Sequence, residues 1–251
     1  MVLMFMKRTL DITISLIGLI IFSVPLIIIC LIVWLQDFGS PLYISERIGK
    51  NGKPFKIFKL RSMIKNANTF GIDSTASNDK RITPIGHKIR KFKLDELTQL
   101  LNVLFGQMSL VGPRPNVISE TKLYTNEEKR ILTIKPGITD FASIVFSDEG
   151  EILAGKSNAD IAYNQLIRPW KSRLAILYTN SSSFRLDLTL ILITMVSLFS
   201  RKKALGMIVR LLTKLQAESE VINMSSRKSA LIPYPPPGTD KLVTTRETPN
   251  I

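Results

Sequence analysis

Two adjacent carboxylates, Asp95 and Glu96, lie between two arginines, Arg90 and Arg114, and Arg114 has proline on both sides. Proline fixes its own φ and restricts the residue before it, so Pro113-Arg114-Pro115 holds one guanidinium in a set direction. Such a planar fork suits bidentate contacts to phosphate. Leu97, Leu100, Leu101 and Leu104 follow Asp95 at the spacing of a short amphipathic helix that stops at Gly106. An aspartate there is either the N-cap of that helix or a group beside a phosphate drawn to the positive helix end. In the second case a carboxylate near arginines stays ionised and can attack phosphorus, giving an acyl phosphate, while its neighbour holds a magnesium ion against the charge of a diphosphate. A transfer between two substrates then becomes two displacements. The residues themselves leave both readings of Asp95 open.

The composition narrows the chemistry further. The single cysteine, Cys30, and single histidine, His87, argue against disulfide frameworks, zinc sites and histidine-ligated metals. No phosphate-loop, dinucleotide-binding or zinc-protease motif occurs. Carboxylate, arginine and lysine chemistry remains. The 251 residues carry 34 Lys+Arg against 20 Asp+Glu, a formal charge of +14. Mean hydropathy is nevertheless +0.17. Apolar residues must therefore be gathered in a few segments, a combination that points to a membrane surface.

The clearest such segment, residues 12–35, has no charge and would make a helix of about 36 Å. That length could cross a bilayer, and it exceeds a signal-peptide core. Pro25 removes a backbone bond near its middle, with Ser23 close enough to bond a freed group. Basic residues flank both ends, Lys7 and Arg8 before it and Arg47, Lys50, Lys53, Lys56, Lys59 and Arg61 after it, which favours keeping both ends on the cytoplasmic side. A broken helix that enters one leaflet and returns satisfies both observations; a kinked bitopic anchor is the close alternative.

Residues 41–63 read as a basic β-hairpin turning at Asn51-Gly52, suited to type I′ geometry. Attraction of its lysines and arginines to anionic headgroups accounts for most of that charge. Residues 66–81 read as a loop, and Thr83-Pro84 starts a helix with Ile85, Ile89 and Phe92 on its apolar face. Residues 120–132 read as a charged helix, and Lys135-Pro136-Gly137 as a turn. Residues 188–199 would form only about 18 Å of helix, too short to span. Residues 204–224 alternate basic and apolar positions, suiting either an interfacial helix or a core-facing one. Residues 225–251, with Pro235-Pro236-Pro237-Gly238, read as a disordered tail. The expected architecture is a helix-rich α/β unit: a re-entrant membrane helix (1–40), a catalytic domain with a small basic hairpin (41–203), a basic amphipathic helix (204–224) and the tail (225–251).

Residues 94–103, reading Leu-Asp-Glu-Leu-Thr-Gln-Leu-Leu-Asn-Val, and residues 106–115, ending Val-Gly-Pro-Arg-Pro, resemble the signature of the bacterial sugar transferases. These are the monotopic polyprenyl-phosphate glycosyl-1-phosphate transferases. The resemblance continues in Lys7-Arg8 with Asp11, Glu46-Arg47-Ile48-Gly49, Lys59-Leu60-Arg61-Ser62-Met63, Lys135-Pro136-Gly137-Ile138-Thr139, and Tyr178, Ser183, Asp187 and Thr194, reaching to about Lys203.

The resemblance implies transfer of a sugar-1-phosphate from a nucleotide diphospho-sugar, with UDP expected, to a polyprenyl phosphate, with undecaprenyl phosphate expected. It implies Asp95 as nucleophile, Glu96 tied to Mg2+, and Arg90 and Arg114 on phosphate or nucleotide groups, with Lys59 and Arg61 as further candidates for that role. It implies a re-entrant helix broken at a Ser-Pro, the catalytic domain on the cytoplasmic face of the bacterial inner membrane, and a place as the first membrane step of surface polysaccharide or glycoconjugate synthesis.

Departures from the family pattern are Ser23-Val24-Pro25 at the helix break, Thr98 in place of a proline, and Asp140-Phe141 where Gly-Trp is usual. No residue pattern isolates a homodimer contact, and that partner stays open. The competing reading is a basic membrane-bound scaffold or nucleic-acid-binding protein, motivated by the net charge. A purely electrostatic binder needs neither acids within its basic patch nor a proline-locked arginine, so nucleic acid is not expected as a partner.

Overall fold

The computed structural model describes residues 2–245. Helices α1 (Val2–Ile21) and α2 (Ser23–Leu35) meet at Phe22 with a bend of 61°. Pro25 lies in the first turn of α2, where it has no N–H to give to Ile21, and the Ser23 hydroxyl donates to the Ile20 carbonyl at 2.7 Å. The intervening Val24 therefore does not prevent a serine bond at the break. Among the described residues no single helix is long and apolar enough to cross a membrane, and this bent pair alone has the combined length and composition. Ile17, Ile20, Ile21, Val24, Ile27 and Leu31 are all exposed, an apolar surface too extensive for an ordinary solvated helix pair.

The N-terminal half of α1 is held by the domain rather than left to headgroups. Lys7 Nζ donates to Val111 O, Tyr178 Oη and Asp187 Oδ2, at 2.9, 3.1 and 2.6 Å. Arg8 caps carbonyls of Val103 and Leu104, and the buried Asp11 accepts from the Leu110 N–H and the Ser109 hydroxyl. Charges that read as a membrane flank thus dock the helix. A buried carboxylate given two donors and a nearby cation offsets its desolvation.

Strands β1 (Leu42–Ile48) and β2 (Pro54–Leu60) form the expected antiparallel hairpin, with Leu42 opposite Leu60 and Ile48 opposite Pro54. Asn51 and Gly52 both have positive φ, +58° and +72°, as a type I′ turn requires. The loop that follows contains a 3₁₀ turn at Ala67–Phe70. Helix α3 (Pro84–Lys91) starts at Thr83, whose hydroxyl accepts from the Gly86 N–H at 3.0 Å. Ile89 is buried with Val33 and Leu60 in a small core beneath α2, whereas Phe92 is exposed, lying just past the helix end instead of on its apolar face.

Helix α4 (Gln99–Leu104) begins later than Asp95, which lies in a separate 3₁₀ turn, Leu94–Glu96. Asp95 is therefore not the N-cap of α4, the first of its two readings. The Thr98 hydroxyl instead bonds Phe58 O at 3.0 Å and so ties this turn to β2. Strands β3 (Ser109–Val111) and β4 (Gly137–Thr139) pair in parallel. Beside them Gly112 and Gly137 meet backbone to backbone: a Cβ on Gly137 would lie 2.1 Å from Gly112 N. The two glycines let the Pro113-Arg114-Pro115 turn be clamped by Lys135-Pro136-Gly137, with the Gly137 N–H bonded to Pro113 O.

The helix expected at 120–132 is broken into α5 (Ile118–Thr121) and a 3₁₀ turn, Glu128–Thr133. Thr125 and Glu128 explain the break: Thr125 N–H bonds Glu128 Oε2 and Glu128 N–H bonds the Thr125 hydroxyl, a reciprocal cap that starts a new turn. The main core gathers α6 (Phe141–Val145), α7 (Glu149–Leu153), α8 (Ala159–Leu166), α9 (Arg168–Ser181), α10 (Phe184–Phe199) and α11 (Arg201–Lys214), followed by α12 (Ser219–Ser225). Ala204, Leu205, Ile208 and Leu212 of α11 are buried against that core, which decides between the two readings of its amphipathic pattern.

The tail also differs from expectation. Residues 226–245 are extended but packed: Tyr234 lies against Trp170 with ring centroids 4.3 Å apart, and Pro236 and Pro237 are buried. Proline-rich chain already extended in solution has less entropy to lose on docking, so a disorder-prone composition need not stay disordered. Residues 246–251 of the expected tail lie outside the described residues.

Candidate active site

Four elements converge on the acid pair. The turn at Leu94–Glu96 carries both carboxylates, β2 carries Lys59, the loop after β3 carries Arg114, and α3 carries Arg90. Lys93, in the left-handed region at φ +53°, lets the chain reverse from α3 into the turn. Asp95 is 9% exposed, and its Oδ2 lies 3.9 Å from Lys59 Nζ. Arg114 Nη2 donates to Glu96 Oε1 at 2.5 Å, with both flanking prolines buried. Arg90 Nε donates to the Ser62 hydroxyl at 3.0 Å, which orients the guanidinium while its charge still acts on Asp95.

The two carboxyls are driven apart electrostatically. Burial raises the Asp95 pKa above its usual range, with the Glu96 charge adding to that and Lys59 opposing it. For Glu96, burial pushes upward, but Arg114 and then Lys59 outweigh it and hold the carboxyl at about 2. Arg114 is correspondingly raised, first by the Glu96 charge. Lys59 is pushed down to about 8 by burial, then by Arg114, against the pull of both acids. Glu96 thus carries the direct arginine bond, while Asp95 has Lys59 as its nearest cation, with Arg114 and Arg90 acting on it less strongly, and is the less neutralised of the two. Such an oxygen can serve as a nucleophile toward phosphorus.

Among the described residues no three His, Cys, Asp or Glu side chains are grouped as a metal cage. Magnesium is commonly held by one or two carboxylates completed by substrate phosphates and water. With Glu96 Oε1 bonded to Arg114, the other carboxylate oxygens of the adjacent Asp-Glu pair fit that donor set in the presence of a diphosphate.

The bacterial sugar transferase family model matches residues 2–201. The chain belongs to the bacterial sugar transferase family. It is 36% identical over 205 residues to a UDP-glucose:undecaprenyl-phosphate glucose-1-phosphate transferase of Klebsiella pneumoniae, covering 80% of this chain and 42% of that protein. It is 44% identical over 121 residues to a putative undecaprenyl-phosphate N-acetylgalactosaminyl 1-phosphate transferase of Bacillus subtilis, covering 48% of this chain and 68% of that protein. A third relative, the uncharacterized sugar transferase EpsL of Bacillus subtilis, is 36% identical over 76% of this chain and 86% of its own length. Several other relatives are longer, this sugar transferase spanning only 31% of their length.

Of the residues singled out in this family member, Asp95, Glu96, Lys59, Arg90 and Arg114 come together. Arg61 does not. Its guanidinium makes two bonds to Asp37, at 2.6 and 3.0 Å, and one to Val33 O at 3.1 Å. A carboxylate and a carbonyl of the last turn of α2, shared with Gln36 Nε2, draw the cation there, away from the phosphate-binding role expected of it. Ser23 and Pro25 lie at the helix bend, apart from the acids. Phe141 is fully buried and Asp140 caps α6 through a reciprocal bond pair with Ser143, so both departures from the family pattern have structural roles. Ser62 and Lys93 are neighbours of the acid pair's cations and turn that residue type alone did not reveal. The left-handed Lys93 follows no Gly or Asn signal, and Ser62 is recognised only by the arginine it holds.

Proposed function

We propose that this sugar transferase moves a sugar-1-phosphate from a UDP-sugar to undecaprenyl phosphate through a covalent intermediate on Asp95. The observation that carries the reading is the buried Asp95-Glu96 pair with Lys59, Arg90 and Arg114 drawn around it. The relatives named as undecaprenyl-phosphate sugar-phosphate transferases support the choice of donor and acceptor.

An Asp95 oxygen attacks the phosphorus that bears the sugar. As that O–P bond forms, the P–O bond to the nucleoside monophosphate breaks and its electron pair leaves on UMP. A phosphate oxygen of the lipid then attacks the same phosphorus, the acyl-phosphate bond breaks, and Asp95 returns as a carboxylate. Neither step needs a proton, because acceptor, nucleophile and leaving oxygens are all anionic. Lys59, Arg90 and Arg114 offset the negative charge gathered at one phosphorus. Magnesium, held by Glu96 together with the diphosphate, would add charge neutralisation there.

The bent apolar pair α1–α2 is read as a re-entrant segment that enters one leaflet from the cytoplasmic face of the bacterial inner membrane and returns. A lipid phosphate would then reach Asp95 without leaving the bilayer, as the first membrane step of a surface polysaccharide or glycoconjugate.

The test follows UMP release by nanodisc-embedded protein with magnesium, undecaprenyl phosphate and a panel of UDP-sugars. One donor should give lipid- and magnesium-dependent UMP, and Asp95→Asn should lower the rate to below about a thousandth. A wild-type rate in Asp95→Asn refutes the covalent role.

A further inference from the structure

Beyond residue 201, where the family match ends, the chain returns across α8 and α9 as a proline-rich segment. Its anchor is Tyr234. That ring lies against Trp170, the Arg173 guanidinium stands 4.8 Å from it, and Arg173 Nη1 also donates to Pro235 O at 2.9 Å. The Tyr234 N–H bonds Gln165 O, and Gln165 Nε2 bonds Val243 O. Between these two attachments Pro237 O accepts from the Thr125 hydroxyl at 2.6 Å, and Gly238 packs on Thr125 and Glu127.

Thr125 is where the tail meets the active-site scaffold. Its hydroxyl also accepts from the Glu128 N–H, and Glu128 is the fully buried partner of Arg168, bonded through Arg168 Nε and Nη2 and the Ser172 hydroxyl. The Arg168 guanidinium lies 5.6 Å from the ring of Tyr124, the residue before Thr125. Tyr124 Oη accepts from Asn116 Nδ2 at 2.8 Å, and Asn116 O accepts from the Ile48 N–H at 3.0 Å. Asn116 is two residues from Arg114. A continuous set of bonds therefore runs from Pro237 through Thr125 and Tyr124 to the proline-locked turn that aims Arg114 at Glu96.

We infer that residues 230–245 are a strap that positions the Arg114 turn, with Thr125 as the contact through which it acts. A segment serving only as cover would be attached through apolar side chains wherever it crosses the surface. This one has a stacked anchor on α9, hydrogen bonds to Gln165 and Arg173, and one short hydrogen bond to the residue that caps the Glu128 turn. The strap is a positioning device. It touches none of the four charged groups around Asp95.

The inference rests on the transferase reading for its kinetic test and stands apart from it for its structural one. Four proteins in nanodiscs are compared: the full chain, a chain ending at Ser229, the full chain with Thr125→Val, and the two changes combined. Loss of the strap or of the Thr125 hydroxyl should raise KM for the UDP-sugar about tenfold, the scale of one ordinary hydrogen bond, and leave kcat within about twofold. Because both changes break one connection, the combined protein should be no worse than either alone. A synthetic peptide of residues 230–245 should restore KM to the shortened chain and not to the combined protein. The Ile48 amide should exchange faster in all three altered proteins.

Additive effects of the two changes, or a wild-type KM and wild-type Ile48 exchange in Thr125→Val, overturn the inference. That second outcome decides even where the shortened chain does not fold. No UMP release from the full chain would defeat the transferase reading, while Ile48 exchange would still decide the strap.

Discussion

Glu96→Gln probes the electrostatics of the acid pair through stability. Arg114 Nη2 is 2.5 Å from Glu96 Oε1, and the Glu96 side chain is 18% exposed, so solvent screens the pair little. Glu96 is held at about 2 where an ordinary glutamate has 4.5, because Arg114 and Lys59 overcome its burial. At about 1.4 kcal/mol per pKa unit, the ionised form contributes about 3 kcal/mol to folding at neutral pH. The folded value is the lower one, so this contribution is complete above pH 4.5 and is lost as pH falls from 4.5 toward 2. Linkage puts about 2 kcal/mol of that loss between pH 6 and pH 3. Glutamine keeps the shape and one acceptor but cannot titrate. Urea unfolding in detergent, run for both proteins from pH 6 to pH 3, should show the wild type losing more than Glu96→Gln by at most about 2 kcal/mol, since removing the Glu96 charge also lowers the Asp95 pKa. Parallel loss in the two proteins would refute the account of Glu96 as an arginine-held anion.

Lys59, with a value of about 8, should lose its proton in mildly alkaline solution and with it the positive charge 3.9 Å from Asp95. UMP release should therefore fall above about pH 8, where the acceptor phosphate is already fully ionised, and Lys59→Arg should flatten that limb whatever its absolute rate. A limb unchanged in Lys59→Arg assigns it to another group. Gly86 packs so closely that a Cβ would stand 1.9 Å from Ser62 O, a backbone atom that cannot rotate away. Gly86→Ala should cost about 1–3 kcal/mol in thermal unfolding. It should also slow UMP release, because Ser62 carries the hydroxyl that orients Arg90.

Much of the site was legible because its signals are local. Thr83-Pro84 starts a helix whichever partner it packs on, Asn51-Gly52 turns a hairpin by its own φ preferences, and prolines on both sides of Arg114 restrict it without tertiary help. The acid pair and the arginines were recognisable as one chemistry by residue type. Their meeting was not, since Lys59 and Asp95 are brought together by β2 lying beside the 3₁₀ turn.

Where charges found partners far along the chain, sequence reasoning assigned them to solvent, headgroups or substrate instead. Lys7 bonds Asp187, 180 positions away, and so reads locally as a membrane flank although it docks a helix. Arg61 sits in a basic run that suggests phosphate, yet Asp37 and a carbonyl of the last turn of α2 take it. The helix expected at 120–132 follows a fair pattern of charge, but the reciprocal Thr125–Glu128 cap and the buried Arg168 pull Glu128 inward and divide it. The tail shows the same limit from the opposite side: its composition lacks the apolar content to order alone, and Trp170, Arg173, Gln165 and Glu220, far along the chain or on another helix, supply the place for Tyr234.

By itself, then, the sequence determined backbone preferences, the apolar run with its proline, and the inventory of carboxylates and cations that makes phosphate the natural ligand. The tertiary structure decided which cation faces which anion. Coulomb energy and desolvation depend on distance and burial, and neither is written in the spacing of residues along a chain.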